Sequence, residues 1–582
     1  MFTLRSVLIS TTALALVACG AAAVTDGSGA DPGPDPGSSG SAFYLPFVAT
    51  TTGSGATGLF VIPSNDLSAT PIFVTKTAAG NQAVDVVGFS KNTTLNSSNV
   101  VTSTSPYALL YLAVGSDGNA HLYAVNLSDV SVAPSATQVS SLSLSSLADV
   151  CSIVGSAQTN LYDPTTLFVV LRTNAAGSSS CGKGGDVYQV VHYSDSSTTV
   201  PTVVDINIQT AAPGSLFTAL YQTSGALGGM VLLDSTGDLD FYTSDTFTSP
   251  TVLTSGVTSA FDLVDDSSVN SSGYLGAGTA FLAVTTGSGS SVWRVPSSGA
   301  ASTIFSASGI LSVTGVADTQ NVYFTDTVTP GGTERIYQEA ISGGTPLELY
   351  SATVAPGEIY FLVGSNGKSL VLTSTTVAST GTVPTIGSTS SSVLTLPVGS
   401  AATPTVIAGP FSGMVSAAMC PATFGNVASD DLLLNVTQTV TSGSTTTYSY
   451  STEVLTPSGA VAQATLADSA FPGLPGCTGN FGTVLQVRGI TDTNGGYGGA
   501  TVSAFDLGTS SVTALSTTSG SGTYTVAAGD VAEGSFLSDD IGSGFVGPYS
   551  QPGSTSSGLA FDIAKTLIVP VTVQDSNVSV LL

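Results

Sequence analysis

The chain has 582 residues, 42% of them hydrophobic, and only 8% charged, where soluble proteins usually carry about a quarter. Disorder needs low hydrophobicity and high charge, so this composition points to a folded chain in which Ser, Thr and Gly stand in for the missing charge. The formal net charge of -27 repels phosphate backbones and anionic surfaces, which excludes nucleic acid as a partner and keeps a weakly charged surface monomeric.

The chain opens with one positive charge, Arg5, followed by an apolar run from Val7 to Val17 that is about half the length needed to span a bilayer. The run ends in Leu16-Val17-Ala18-Cys19. This stretch resembles the lipobox of bacterial lipoproteins. The resemblance implies cleavage before Cys19, acylation of that residue, and residence in the cell envelope. Gly20 follows in place of the aspartate that commonly signals inner-membrane retention, which implies the outer membrane if the source is Gram-negative. Residues 1–18 are therefore expected to be a signal peptide. Residues 19–42, rich in Gly, Pro, Ser and Asp, are expected to be a flexible tether. Residues 43–582 form the body.

Along the body a hairpin pattern returns: a short aromatic or β-branched run, a polar turn often containing Pro, then a second apolar run. Nine such units occur, at 59–75, 121–139, 187–204, 239–253, 292–305, 336–350, 393–407, 452–466 and 501–515. Further strand-like segments lie between them, joined through tight turns such as "GSDGN" (115–119) and "DSTGD" (234–238), whose Gly, Asn and Asp content such turns require. Only "SLSLSSLADV" (141–150) admits a helical turn. The repeating unit is four antiparallel strands, and radial repetition protects sheet edges. The predicted fold is all-β: one β-propeller of seven to nine four-stranded blades, eight preferred. The segment 559–573 is expected to complete the first blade beside Phe43 to Thr50.

The even set Cys151, Cys181, Cys420 and Cys477 suits two disulfides in an exported chain, with the local pairings Cys151–Cys181 and Cys420–Cys477 favoured. Asp234, Asp238 and Asp240 are hard oxygen ligands of the kind Ca2+ takes, although Asp is also a normal turn former, and the turn role is the reading taken here; no other cofactor is predicted. His121 and His192 each fall in a strand-like run and read as hydrogen-bonded strand residues. No nucleophile elbow, zinc-protease motif or phosphate loop is present. Trp293 is the single tryptophan, so the Trp-per-repeat signature of quinoprotein propellers is missing, as are sialidase boxes and WD dipeptides. What remains resembles bacterial propeller lipoproteins in general. It implies a lipid-anchored binding or scaffolding module for a protein or glycan partner. The alternatives are an envelope hydrolase or lyase with carboxylates in the channel, and a surface-coat protein.

Overall fold

A computed structural model describes residues between 42 and 580 with internal gaps, and side-chain surroundings between 42 and 411. The expected signal peptide and all but the last residue of the expected tether, Cys19 included, lie outside the described residues, as do Cys181 and Cys420. Among the described residues the chain is built from strands, with one turn of 3-10 helix at Leu147–Asp149, inside the segment expected to hold one. No described helix is long and apolar enough to cross a membrane.

The strands form ten antiparallel sheets among the described residues, nine of four strands and one of five. They are numbered here in chain order, sheet 1 holding the N-terminal strands. The fold is a β-propeller. Each of the nine hairpins read from the sequence is the outer pair of one sheet, for example Ala120–Asn126 with Ala136–Gln138 in sheet 2 and Thr333–Ala340 with Leu347–Thr353 in sheet 6. Ten sheets stand where the hairpins predicted seven to nine because of the segment 559–573. It supplies Ser557–Asp562 and Leu567–Val571, the outer pair of sheet 10, rather than completing sheet 1.

Sheet 1 is completed by the next strand along, Ser576–Val580, which pairs with Tyr44–Thr51 in the register Phe47↔Val580 to Thr51↔Ser576. That strand also lies against Val531–Ser538, the first strand of sheet 10. On the other side, Tyr44 N–H donates to Leu127 O at 2.7 Å and ties sheet 1 to sheet 2. The first and last described strands thus share one sheet, which closes the ring.

Second strands carry the continuous apolar runs, "YALLYLAV", "LFVVL" and "MVLL", because each is covered on both faces. Side chains alternate, so Leu167, Val169 and Leu171 pack toward sheet 2 while Phe168 and Val170 pack toward sheet 4. The same sorting continues through sheets 4, 5, 6 and 7, giving one apolar layer per junction. Burying a side chain such as Phe168 contributes roughly 2–3 kcal/mol, so the ring is held by its junctions.

First strands of neighbouring sheets lie side by side, as between Asp85–Leu95 and Val150–Asn160, or Glu358–Ser365 and Gly413–Met419, and so line the centre. Gly155 permits one such approach, since the Phe217 ring occupies the space where a β-carbon would sit. Ile153 and Phe261, both on first strands, are exposed.

Candidate functional site

Antiparallel alternation places the turn between the second and third strands at the same end of a sheet as the connection into the next sheet. This end of the ring carries three polar groups, in sheets 2, 4 and 6, that the structure describes in full.

In sheet 2 the "GSDGN" turn is closed by Gly118 at φ 84°, a left-handed conformation that glycine adopts without strain. Asp117 accepts the Asn119 N–H at 3.1 Å, and its two oxygens lie 3.0 and 2.9 Å from His121 Nε2. These hydrogen bonds, first that of His121, lower the Asp117 pKa. The other ring nitrogen, Nδ1, faces Leu142 O at 2.9 Å. Both nitrogens of this buried ring are therefore occupied within the chain, and neither is directed at a nucleophile, as base catalysis would require. His192 stacks on Phe168 at 5.9 Å in the junction between sheets 3 and 4, and burial lowers its pKa.

In sheet 4 the "DSTGD" turn has Gly237 at φ 88°. Asp234 is turned into its own loop, where one oxygen accepts from Thr236 N–H at 2.9 Å, Thr236 Oγ1 at 2.8 Å and Asp238 N–H at 2.7 Å. Asp240 stands two residues into the next strand, directly opposite Leu232, and hydrogen-bonds Tyr242. Burial, then the charges of Asp234 and Asp238, push Asp240 up to about 6. Tyr188, across the junction, donates to Leu233 O at 3.1 Å, and burial raises it to about 12. The three aspartates expected as calcium ligands thus lie near one another, but Asp234 spends its acceptors on the turn. Among the described residues no group of three His, Cys, Asp or Glu side chains is arranged to hold a metal ion.

Sheet 6 holds the group that sequence reasoning missed. Asp326 and Arg335 are directly opposite in the ladder and form an ion pair at 2.5 Å, with Asp326 also accepting the Arg335 N–H at 2.9 Å. Burial nevertheless leaves the Asp326 pKa raised, against the pull of Arg335. Glu334 points to the opposite face, toward sheet 7, and is 1% exposed. Both its oxygens lie 3.2 Å from the Tyr360 N–H on the first strand of sheet 7. Burial pushes Glu334 up to about 8, with the Asp326 charge adding to the rise and the Tyr360 N–H opposing it. At the other end of the same strand Glu339 is equally buried, its two oxygens without a hydrogen-bond partner among the described residues, and burial raises it against the charge of Arg294 in sheet 5. A usable signal existed: Val322, Phe324 and Asp326, like Tyr337, Glu339 and Ile341, alternate onto one face, so these carboxylates share the parity of core residues.

Cys151 is disulfide-bonded. Cys477 falls in the strand Gly476–Thr478, and its side chain lies outside the described residues.

No protein-family model matches the chain, and no curated protein matches it. It is similar in structure to a protein described as a eukaryotic initiation factor, at 8% identity over 82% of this chain and 96% of that one, with a TM-score of 0.40. It is also similar to TolB from Acinetobacter baumannii (12% identity, 59% of this chain, 77% of that one, TM-score 0.25). A third similar structure is the β-propeller domain of the Trilobed protease from Pyrococcus furiosus (7% identity, 71% and 93%, TM-score 0.30). None of these likenesses carries an argument about activity or partner.

Proposed function

We propose that this chain is a lipid-anchored cell-envelope protein whose propeller acts as a non-enzymatic binding or scaffolding module for a protein or glycan partner. The observation that carries the reading is the use made of its polar groups. At the end that gathers the second-to-third-strand turns, His121, Asp234 and Asp326 are each committed to hydrogen bonds inside the chain, and Glu334 is sealed between sheets. A reaction centre needs a nucleophile, a base and an orienting group converging on one accessible point, and the described groups do not converge. The parts at that end open to contact are turn residues, such as Asp117 with its side chain 50% exposed, which suits recognition through loops.

The anchor is Cys19 with its lipobox, the tether of residues 19–42 holds the ring off the membrane, and Cys151–Cys181 and Cys420–Cys477 are the disulfides. Two or three acyl chains, each buried CH2 contributing about 0.8 kcal/mol, hold the mature protein firmly to a membrane. A Cys19→Ser variant tests the anchor: it is expected to leave the membrane fraction or to accumulate unprocessed, and unchanged fractionation would overturn that part of the reading. Affinity capture from native envelopes tests the module. It is expected to retain a protein or glycan in stoichiometric amount, and recovery of the ring alone contradicts a binding role.

A further inference from the structure

We propose that the Glu334 carboxyl is a proton-operated latch between sheets 6 and 7, closed when protonated and released when ionised. The geometry carries this. Glu334 sits on the third strand of sheet 6, Thr333–Ala340, and reaches across the junction to the Tyr360 N–H on Glu358–Ser365, the strand that lines the centre of the ring. It is the described side chain that binds the backbone of the next sheet's first strand at this junction. It shares its face with Tyr323 and Ile336, in an apolar layer completed by Leu370 and Leu372 of sheet 7.

A neutral acid fits such a layer. A carboxylate does not, because its charge is removed from water with, among the described residues, one N–H to replace the lost solvation. Titratable groups facing it are few. From its own sheet these are the phenols of Tyr323 and Tyr350, and from sheet 7 the phenol of Tyr360, which lies 3.4 Å from that of Tyr350. Asp326 lies on the reverse face and disfavours ionisation through its charge, while Arg335, also on that face, is paired with Asp326. Glu358 begins the strand that holds Tyr360, and its side chain lies outside the described residues. Nothing described on the facing side offers a cation to a Glu334 carboxylate. Ionisation therefore draws water into the junction and lowers the barrier to parting the two sheets.

Hydrogen–deuterium exchange of the full chain, read on the peptide spanning 358–365 and corrected for intrinsic rates, tests the latch. Between about pH 5 and about pH 8 the wild type is expected to lose at least tenfold in protection at this strand, with no further loss above that range, as a local opening would. Glu334→Gln, which cannot ionise, is expected to keep its protection across that range, and Glu358→Gln to behave as wild type. Should Glu334→Gln fail to fold, infrared titration of the wild type decides instead. A buried carboxylic-acid carbonyl band that disappears on passing through about pH 8 supports the latch. Protection that does not change with pH, an equal loss in Glu334→Gln, a loss abolished by Glu358→Gln, or the absence of that band at neutral pH would overturn it.

Discussion

Gly155→Ala measures how tightly the inner wall of the ring is built. The added β-carbon would fall against Cδ1 of Phe217, 2.8 Å from Cγ and 3.0 Å from Cε1. Phe217 begins the first strand of sheet 4, and its ring meets Phe168 edge-on at 6.1 Å. Phe168 is fully buried in the junction between sheets 3 and 4 and gives no room for retreat. Overpacking of this kind costs about 1–3 kcal/mol, and displacing the edge-on pair forfeits a further ~0.5–1.5 kcal/mol. The expected destabilisation is therefore about 2–4 kcal/mol, read as a lowered urea midpoint at unchanged slope. Phe217→Ala removes the obstacle. In that background Gly155→Ala should cost less than about 0.5 kcal/mol, leaving a coupling of at least ~1.5 kcal/mol between the two positions. A Gly155→Ala variant as stable as wild type, or one equally destabilised in both backgrounds, would refute the close approach of the first strands.

Asp240→Asn should flatten the acid side of the stability profile. The folded pKa of about 6 lies above the ordinary value of 3.8, so the stabilisation is complete below about pH 4 and is lost as pH rises to about 6. At neutral pH the Asn variant should be the more stable, by on the order of 2–3 kcal/mol, in a urea titration repeated across that range. Tyr188→Phe deletes the hydrogen bond to Leu233 O between sheets 3 and 4 and should cost about 1–2 kcal/mol, with the near-ultraviolet spectrum retained.

The architecture was legible wherever strands came as hairpins. An outer pair such as Leu239–Thr243 with Thr251–Thr254 announces itself through its turn chemistry and its alternation of apolar and polar residues. First strands were harder, because Val257–Asp262 has one edge toward the centre and mixes exposed Thr258, Ser259 and Phe261 with buried Val257 and Ala260. The closing strand could not be read from local pattern, since Ser576–Val580 gains its place only from pairing with Tyr44–Thr51, more than five hundred residues away. The turn role of Asp234 followed from its neighbours in sequence. Glu334 did not, because its surroundings are Tyr360 and the sheet 7 core, which no spacing within residues 333–340 encodes.

The ring itself is tested most directly by joining its ends. Val48 and Ser579 are directly opposed across the two terminal strands. Opposed residues of an antiparallel pair have Cα atoms about 4.5–5.5 Å apart, within the span a disulfide accepts. In the Val48→Cys/Ser579→Cys protein, mild oxidation should link the two peptides quantitatively, seen by mass spectrometry of an unreduced digest, and should raise resistance to urea. Two thiols that stay open to alkylation in the folded protein would contradict a propeller closed by its last strand.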